Sequence, residues 1–184
     1  MRIIEKIFIG SYVGLVHRRL IYATGILFSA SIITYSYSFS LNWSWWQLIL
    51  ASIVSFDIPA GAVANNLVAV KRHWGRMRSH GNRWQKLLAN RTNMALMHIP
   101  YILAMGYAFW DSSMMFTVIM CSILISSSLV VQSSSPARAR AIAVSTVAVT
   151  MLVNIAFHPP TALWWFMPLL IVKVINGFTT PLRA

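Results

Sequence analysis

Apolar runs of about 20 residues follow one another along this chain with only short breaks, and that is the length a helix needs to cross a hydrocarbon core of roughly 30 Å. In water, such runs would leave wide apolar faces uncovered. In lipid, every backbone N–H and C=O must be satisfied within its own segment, which restricts a spanning chain to helices or a closed barrel. Runs this long and continuous predict an all-α polytopic integral membrane protein of about six transmembrane helices, with spans near 20–41, 46–70, 93–110, 114–131, 141–157 and 161–178. With 58% hydrophobic and 10% charged residues, the composition is far from that of a soluble domain.

Charge orders these spans. A net charge of +12 would suggest nucleic acid in a soluble protein, but basic residues confined to short loops on one side of a membrane explain it more simply, and no nucleic-acid partner is expected. Arg2, Lys6, Arg18 and Arg19 precede the first span. Lys71, Arg72, Arg76, Arg78, Arg83, Lys86 and Arg91 fall between the second and third, Arg138 and Arg140 between the fourth and fifth, and Arg183 after the sixth. All lie on one side if the N and C termini are both cytoplasmic. The opposite loops carry no Lys or Arg, and one of them holds Asp111.

This gives a cytoplasmic interfacial amphipathic segment over 1–19, a six-helix transmembrane domain over 20–184, and a basic cytoplasmic loop over 71–92. The apolar stretch from Ile7 to Val16 resembles a signal-peptide core in length, but His17, Arg18 and Arg19 stand where a small-residue cleavage site belongs, so it is expected to lie along the membrane face. The expected location is a bacterial-type inner (plasma) membrane. The expected partners are anionic lipids of its inner leaflet, attracted by the basic loop, and either a homo-oligomer or a packed monomer is compatible with the small size.

Polar residues inside apolar runs are the candidates for chemistry. Asp57 lies near the middle of the second span, where a carboxylate costs about 2.5 to 3.5 kcal/mol on insertion scales, so it is expected to face protein or water. Pro59 and Gly61 follow, and Pro59 cannot donate to the carbonyl of Ser55, which predicts a kink or local opening beside the acid. At about 1.5 Å per residue, Asn65, Asn66, His98 and Lys173 all fall about one turn from the cytoplasmic ends of their helices. Asp57 shares a helix face with Gly61 and Asn65, about 12 Å deeper than Asn65. Together they sketch a polar cleft for a substrate or ion with an acid at its floor. The plainer alternatives are a small-residue helix contact at Gly61, a snorkelling Lys173 and asparagines that hold helices together.

Lys71, Arg72, Arg76 and Arg78 are candidates for binding a phosphate or a lipid headgroup. His158, in the Phe157-His158-Pro159-Pro160 turn, falls at the opposite boundary from His98. No metal-ligand spacing, nucleotide loop, nucleophile elbow or haem pair is present, and no cofactor or metal is expected. The lone Cys121 leaves no disulfide framework within the chain.

Three functions remain open. One is a proton- or cation-coupled transporter or channel-like protein built on Asp57. The second is an intramembrane enzyme acting on a lipid or isoprenoid substrate, with Asp57 and His98 as acid and base. The third is a non-catalytic subunit or assembly factor. Whether the chain is an enzyme is not decided by its sequence.

Overall fold

The computed structural model describes residues 13–109 and 114–179, and every regular element among them is helical. Arg2, Lys6, Asp111, Arg183 and most of the expected interfacial segment lie outside the described residues. The first helix, α1 (Leu15–Ser38), already begins at Leu15, so His17, Arg18 and Arg19 form its opening turns.

The second helix, α2 (Trp45–Asn66), starts at a capping box, in which Ser44 N–H donates to Gln47 Oε1 at 2.8 Å. Gln47 also donates to the Ala108 carbonyl at 2.5 Å, and Trp43 packs on Phe109 with ring centroids 4.8 Å apart, which fixes this end of α2 to the segment around residue 108. Pro59 is carried inside α2 without ending it; the break falls at Leu67, which is extended at φ −71°, ψ 134°. Asparagine competes with helical hydrogen bonding through its side chain, and here Asn65 donates to the Lys173 carbonyl while Asn66 donates to that of Ala62.

The stretch 71–92, expected as a loop, is largely helical. Helix α3 (Val68–His80) buries Val70, Trp74 and Met77, spaced for one helix face, and exposes Arg72 and Arg76. A second capping box, Asn82 with Gln85, opens α4 (Arg83–Ala89), and Asn90 caps α5 (Arg91–Leu96) by accepting from Asn93 N–H at 3.1 Å. The apolar run then breaks at Met97–His98 before α6 (Ile99–Phe109), because Pro100 cannot donate to the carbonyl of Leu96 and crowds it.

Two long helices follow, α7 (Met114–Gln132) and α8 (Pro136–Phe157), the latter opened by a proline where the missing N–H is harmless. His158 ends α8 in the left-handed region at φ 47° and is exposed. After a 3-10 turn (Thr161–Leu163) comes α9 (Phe166–Ile171), which runs directly into a π-helical segment (Val172–Thr179).

Helices α1, α2, α7 and the 137–157 part of α8 are long and apolar enough to cross a membrane. They are not equivalent: 44% of the apolar window in α2 is buried inside the protein, against 22% in α1 and in α8. Helix α1 packs chiefly on α2, where Gly25 lets the backbones approach, a Cβ there lying 2.9 Å from the Phe56 carbonyl oxygen. The π-helical segment is the hub, touching α2, α5, α7 and α8. Ile58, Ile102, Met120, Leu124, Phe166 and Ile175 fill the core around it, while the outer faces of α1 and α8 expose Leu27, Val144 and Leu152.

Candidate functional site

Three positions on one face of α2 frame the site. Asp57, Gly61 and Asn65 are four residues apart, so they stack along the helix at intervals of about 6 Å. The π-helical segment lies along this face. At its start the Lys173 carbonyl accepts from Asn65 Nδ2 at 3.2 Å, which sets the backbone of Lys173 level with Asn65. From there the lysine stem runs over Gly61, and its Nζ reaches Asp57 Oδ2 at 2.5 Å.

Gly61 is what makes the path available. A Cβ at that position would collide with Cε of Lys173 and come within 2.8 Å of its Cδ. The contact is reciprocal, since a Cβ on Gly177 would fall 2.5 Å from Cβ of Asn65. Two glycines therefore key α2 and the π-helical segment together, each receiving a side chain of the other element. The wider i→i+5 winding of a π-helix is rare and is found frequently at functional sites.

The α5–α6 break and the first turn of α6 supply the rest. His98 is buried, and its Nδ1–H donates to the Met94 carbonyl at 2.6 Å, which leaves Nε2 as the ring's acceptor. Its ring stacks on Tyr101, with centroids 5.6 Å apart at 26°. Tyr101 borders the pair as well, the Lys173 ammonium lying 5.6 Å from the Tyr101 ring centroid. The ammonium thus has a carboxylate and an aromatic face as neighbours, both favourable to a cation.

Exposure separates the two charges. The Lys173 side chain is 8% exposed and that of Asp57 is 39% exposed, so the ammonium is closed in while the carboxylate keeps an open side. The snorkelling lysine is thereby corrected: Lys173 turns inward to an acid instead of outward to a surface.

Below this pair the polar groups occupy one another. Asn176 donates to Asn66 Oδ1 at 2.8 Å, and Lys71 Nζ donates to the Asn176 carbonyl at 3.2 Å. Burial, followed by the nearby charge of Arg140, pushes Lys71 below the ordinary lysine pKa. A column of polar contacts thus leads up to the Asp57–Lys173 pair.

Asp57, Gly61, Asn65, Asn66, Lys71, His98 and Lys173 are thus brought together, and Pro59 lies buried in α2 beside them in sequence. Arg72 and Arg76 are exposed on α3, and Arg78 donates to the Ala89 carbonyl at 3.3 Å, closing α3 on α4. Tyr101, Asn176 and Gly177 belong to the cluster without having been singled out. Tyr101 follows His98 by three residues and Asn176 follows Lys173 by three, a spacing that shares a helix face and marks both in retrospect.

Among the described residues no group of three His, Cys, Asp or Glu side chains is placed to hold a metal ion. No protein family, curated protein or solved structure matches the chain.

Proposed function

We propose that this is a proton- or cation-coupled transporter, crossing a bacterial-type plasma membrane six times with both termini in the cytoplasm, and that Asp57 is its coupling site. The observation that carries the proposal is the Asp57–Lys173 pair: a carboxylate with an open side, bound to a closed-in lysine across two helices that meet through glycines. Ionisable groups within apolar spans are expensive and tend to mark ion pathways. A purely structural pair gains little from being ionic, since well-packed apolar residues serve as well or better.

Support for six passes comes from the four long apolar helices together with two interrupted segments, 91–109 and 161–179, each able to cover about 28 Å at 1.5 Å per residue. The first is broken at Met97–His98, next to the pair, and the second changes from α- to π-helix at Val172, one residue before Lys173; in transporters, irregular or discontinuous helices at depth accompany ion and substrate sites.

The enzyme reading has less behind it. A lipid chemistry that uses Asp57 and His98 as acid and base would need both free to exchange protons with substrate, whereas Asp57 already accepts from Lys173.

The test is proton flux, read with a trapped pH dye, in vesicles reconstituted with the full chain and given pulses of Na+, Li+ or K+. Wild type is expected to move protons and Asp57→Asn to be reduced at least tenfold. Because that variant leaves a buried ammonium unpaired, at a cost of about 3 to 5 kcal/mol, the double variant Asp57→Asn/Lys173→Gln serves as the charge-balanced control. Flux that survives in both variants would sink the proposal.

A further inference from the structure

Lys173 occupies the position on Asp57 that an incoming cation would need. Asp57 is the one acidic residue among the described ones, and its partner charge is supplied by the chain itself through a stem held over Gly61. We infer that Lys173 is a built-in counter-cation, and that the protein exchanges one alkali-metal cation for one proton without net movement of charge. This rests on the transport reading above and adds the substrate class and the stoichiometry.

The argument is one of charge balance. An ammonium paired with a carboxylate is neutral overall, whereas a second cation on the same carboxylate leaves a net positive charge in an apolar surrounding, where it is strongly disfavoured. Lys173 cannot withdraw as an ion, because its stem is enclosed between Gly61 and the π-helical segment and its side chain is 8% exposed. It can become neutral. An N–H bond of the ammonium breaks, the electron pair stays on Nζ, the proton passes to water at the open side of Asp57, and the metal cation bonds to the freed carboxylate oxygen. Reprotonation of Nζ from the other side of the membrane expels the cation. Lysine suits this task because it can yield its proton when buried, which arginine cannot.

The remaining groups around the pair are consistent with a small, hard, singly charged guest. The carboxylate offers oxygen donors, and His98, stacked on Tyr101, adds no charge when neutral. A divalent ion typically draws on more than one carboxylate, and none other is described here.

The experiment measures steady-state cation gradients across vesicles of phosphatidylethanolamine and phosphatidylglycerol carrying the full chain, with the membrane potential clamped at zero or about 100 mV by K+ and valinomycin. Na+ or Li+ pulses are the probes. An electroneutral exchange leaves the Na+ gradient unchanged between the two potentials, whereas each net charge moved would shift it about 50-fold at 100 mV. Lys173→Gln is expected to uncouple the cation from the proton and make Na+ movement follow the potential. Lys173→Arg, which keeps the ion pair but holds its proton, is expected to stop exchange while retaining the wild-type gel-filtration profile. A potential-dependent gradient in wild type, or unchanged electroneutral exchange in Lys173→Gln, overturns the inference and leaves transport standing. Absence of any cation-driven proton movement in wild type overturns both.

Discussion

At the scale of single residues, the site turns on a missing methyl group. Gly61 faces the Lys173 stem so closely that a Cβ would have to displace it, and the neighbouring Gly75 on α3 has nothing within 4 Å of the same added atom. The two therefore respond to alanine in opposite ways. Gly75→Ala is expected to be neutral or to stabilise by up to about 1 kcal/mol, the helix-propensity difference between glycine and alanine. Gly61→Ala gains the same propensity but must move Lys173 or separate α2 from the π-helical segment; overpacking of this kind costs about 1 to 3 kcal/mol. Thermal unfolding in detergent should show a lowered midpoint for Gly61→Ala alone, with loss of proton flux accompanying it. Equal midpoints for both variants would mean that Lys173 has another way to reach Asp57. The sequence marks Asp57, Gly61 and Asn65 as one face because a helix repeats every 3.6 residues. It leaves Lys173 ambiguous between a surface and an interior, since a four-carbon stem reaches either, and only the notch at Gly61 decides.

At the scale of elements, the long uninterrupted helices are legible from apolar length alone, while the interrupted ones are not. The run 93–110 reads as one span, yet Pro100 divides it into α5 and α6, and the run 161–178 becomes a 3-10 turn, an α-helix and a π-helix in succession. Apolar content measures length and not continuity, so a run of the right size conceals its own breaks. The basic stretch 71–92 misleads in the other direction, because its charge suggests a loop while Val70, Trp74 and Met77 carry a helical period beneath it. Trp74, 3% exposed, is the chief anchor of α3, and truncating a buried tryptophan to alanine costs about 3 to 5 kcal/mol. Since α3 carries Lys71, Arg72, Arg76 and Arg78, its local opening can be read by trypsin. Trp74→Ala is expected to be cleaved within α3 at least tenfold faster than wild type, and Trp84→Ala, which removes a side chain 73% exposed, at an unchanged rate. Equal cleavage of the two would show that α3 is held by its charges and not by its buried face.

At the scale of the whole molecule, the number of crossings follows from what the two interrupted segments do. If only the four long apolar helices cross, 91–109 and 161–179 stay on one side, and the start of α8 with Arg138 and Arg140 is carried to the outer face. That arrangement places two basic residues against the inward bias of Lys and Arg. If the interrupted segments cross as well, all the basic clusters share the cytoplasmic side, and Asp57, Lys173 and Tyr101 meet within the membrane, on three crossing segments. The two arrangements agree on the first hairpin and on the basic stretch, but they exchange the sides of the α7–α8 turn and of the turn after α8. Single cysteines placed in a Cys121→Ala background at Asn42, Lys86, Ser133 and Thr161, all exposed, separate them by labelling with a membrane-impermeant maleimide in intact and opened vesicles. With six crossings, positions 42 and 161 label from outside and positions 86 and 133 only from inside. With four, 133 labels from outside and 161 from inside, and 42 and 86 are unchanged. The second pattern would remove the α6 and π-helical segments from the membrane and, because Lys173 touches Asp57, would place the pair outside the apolar surrounding in which a single counter-cation could matter.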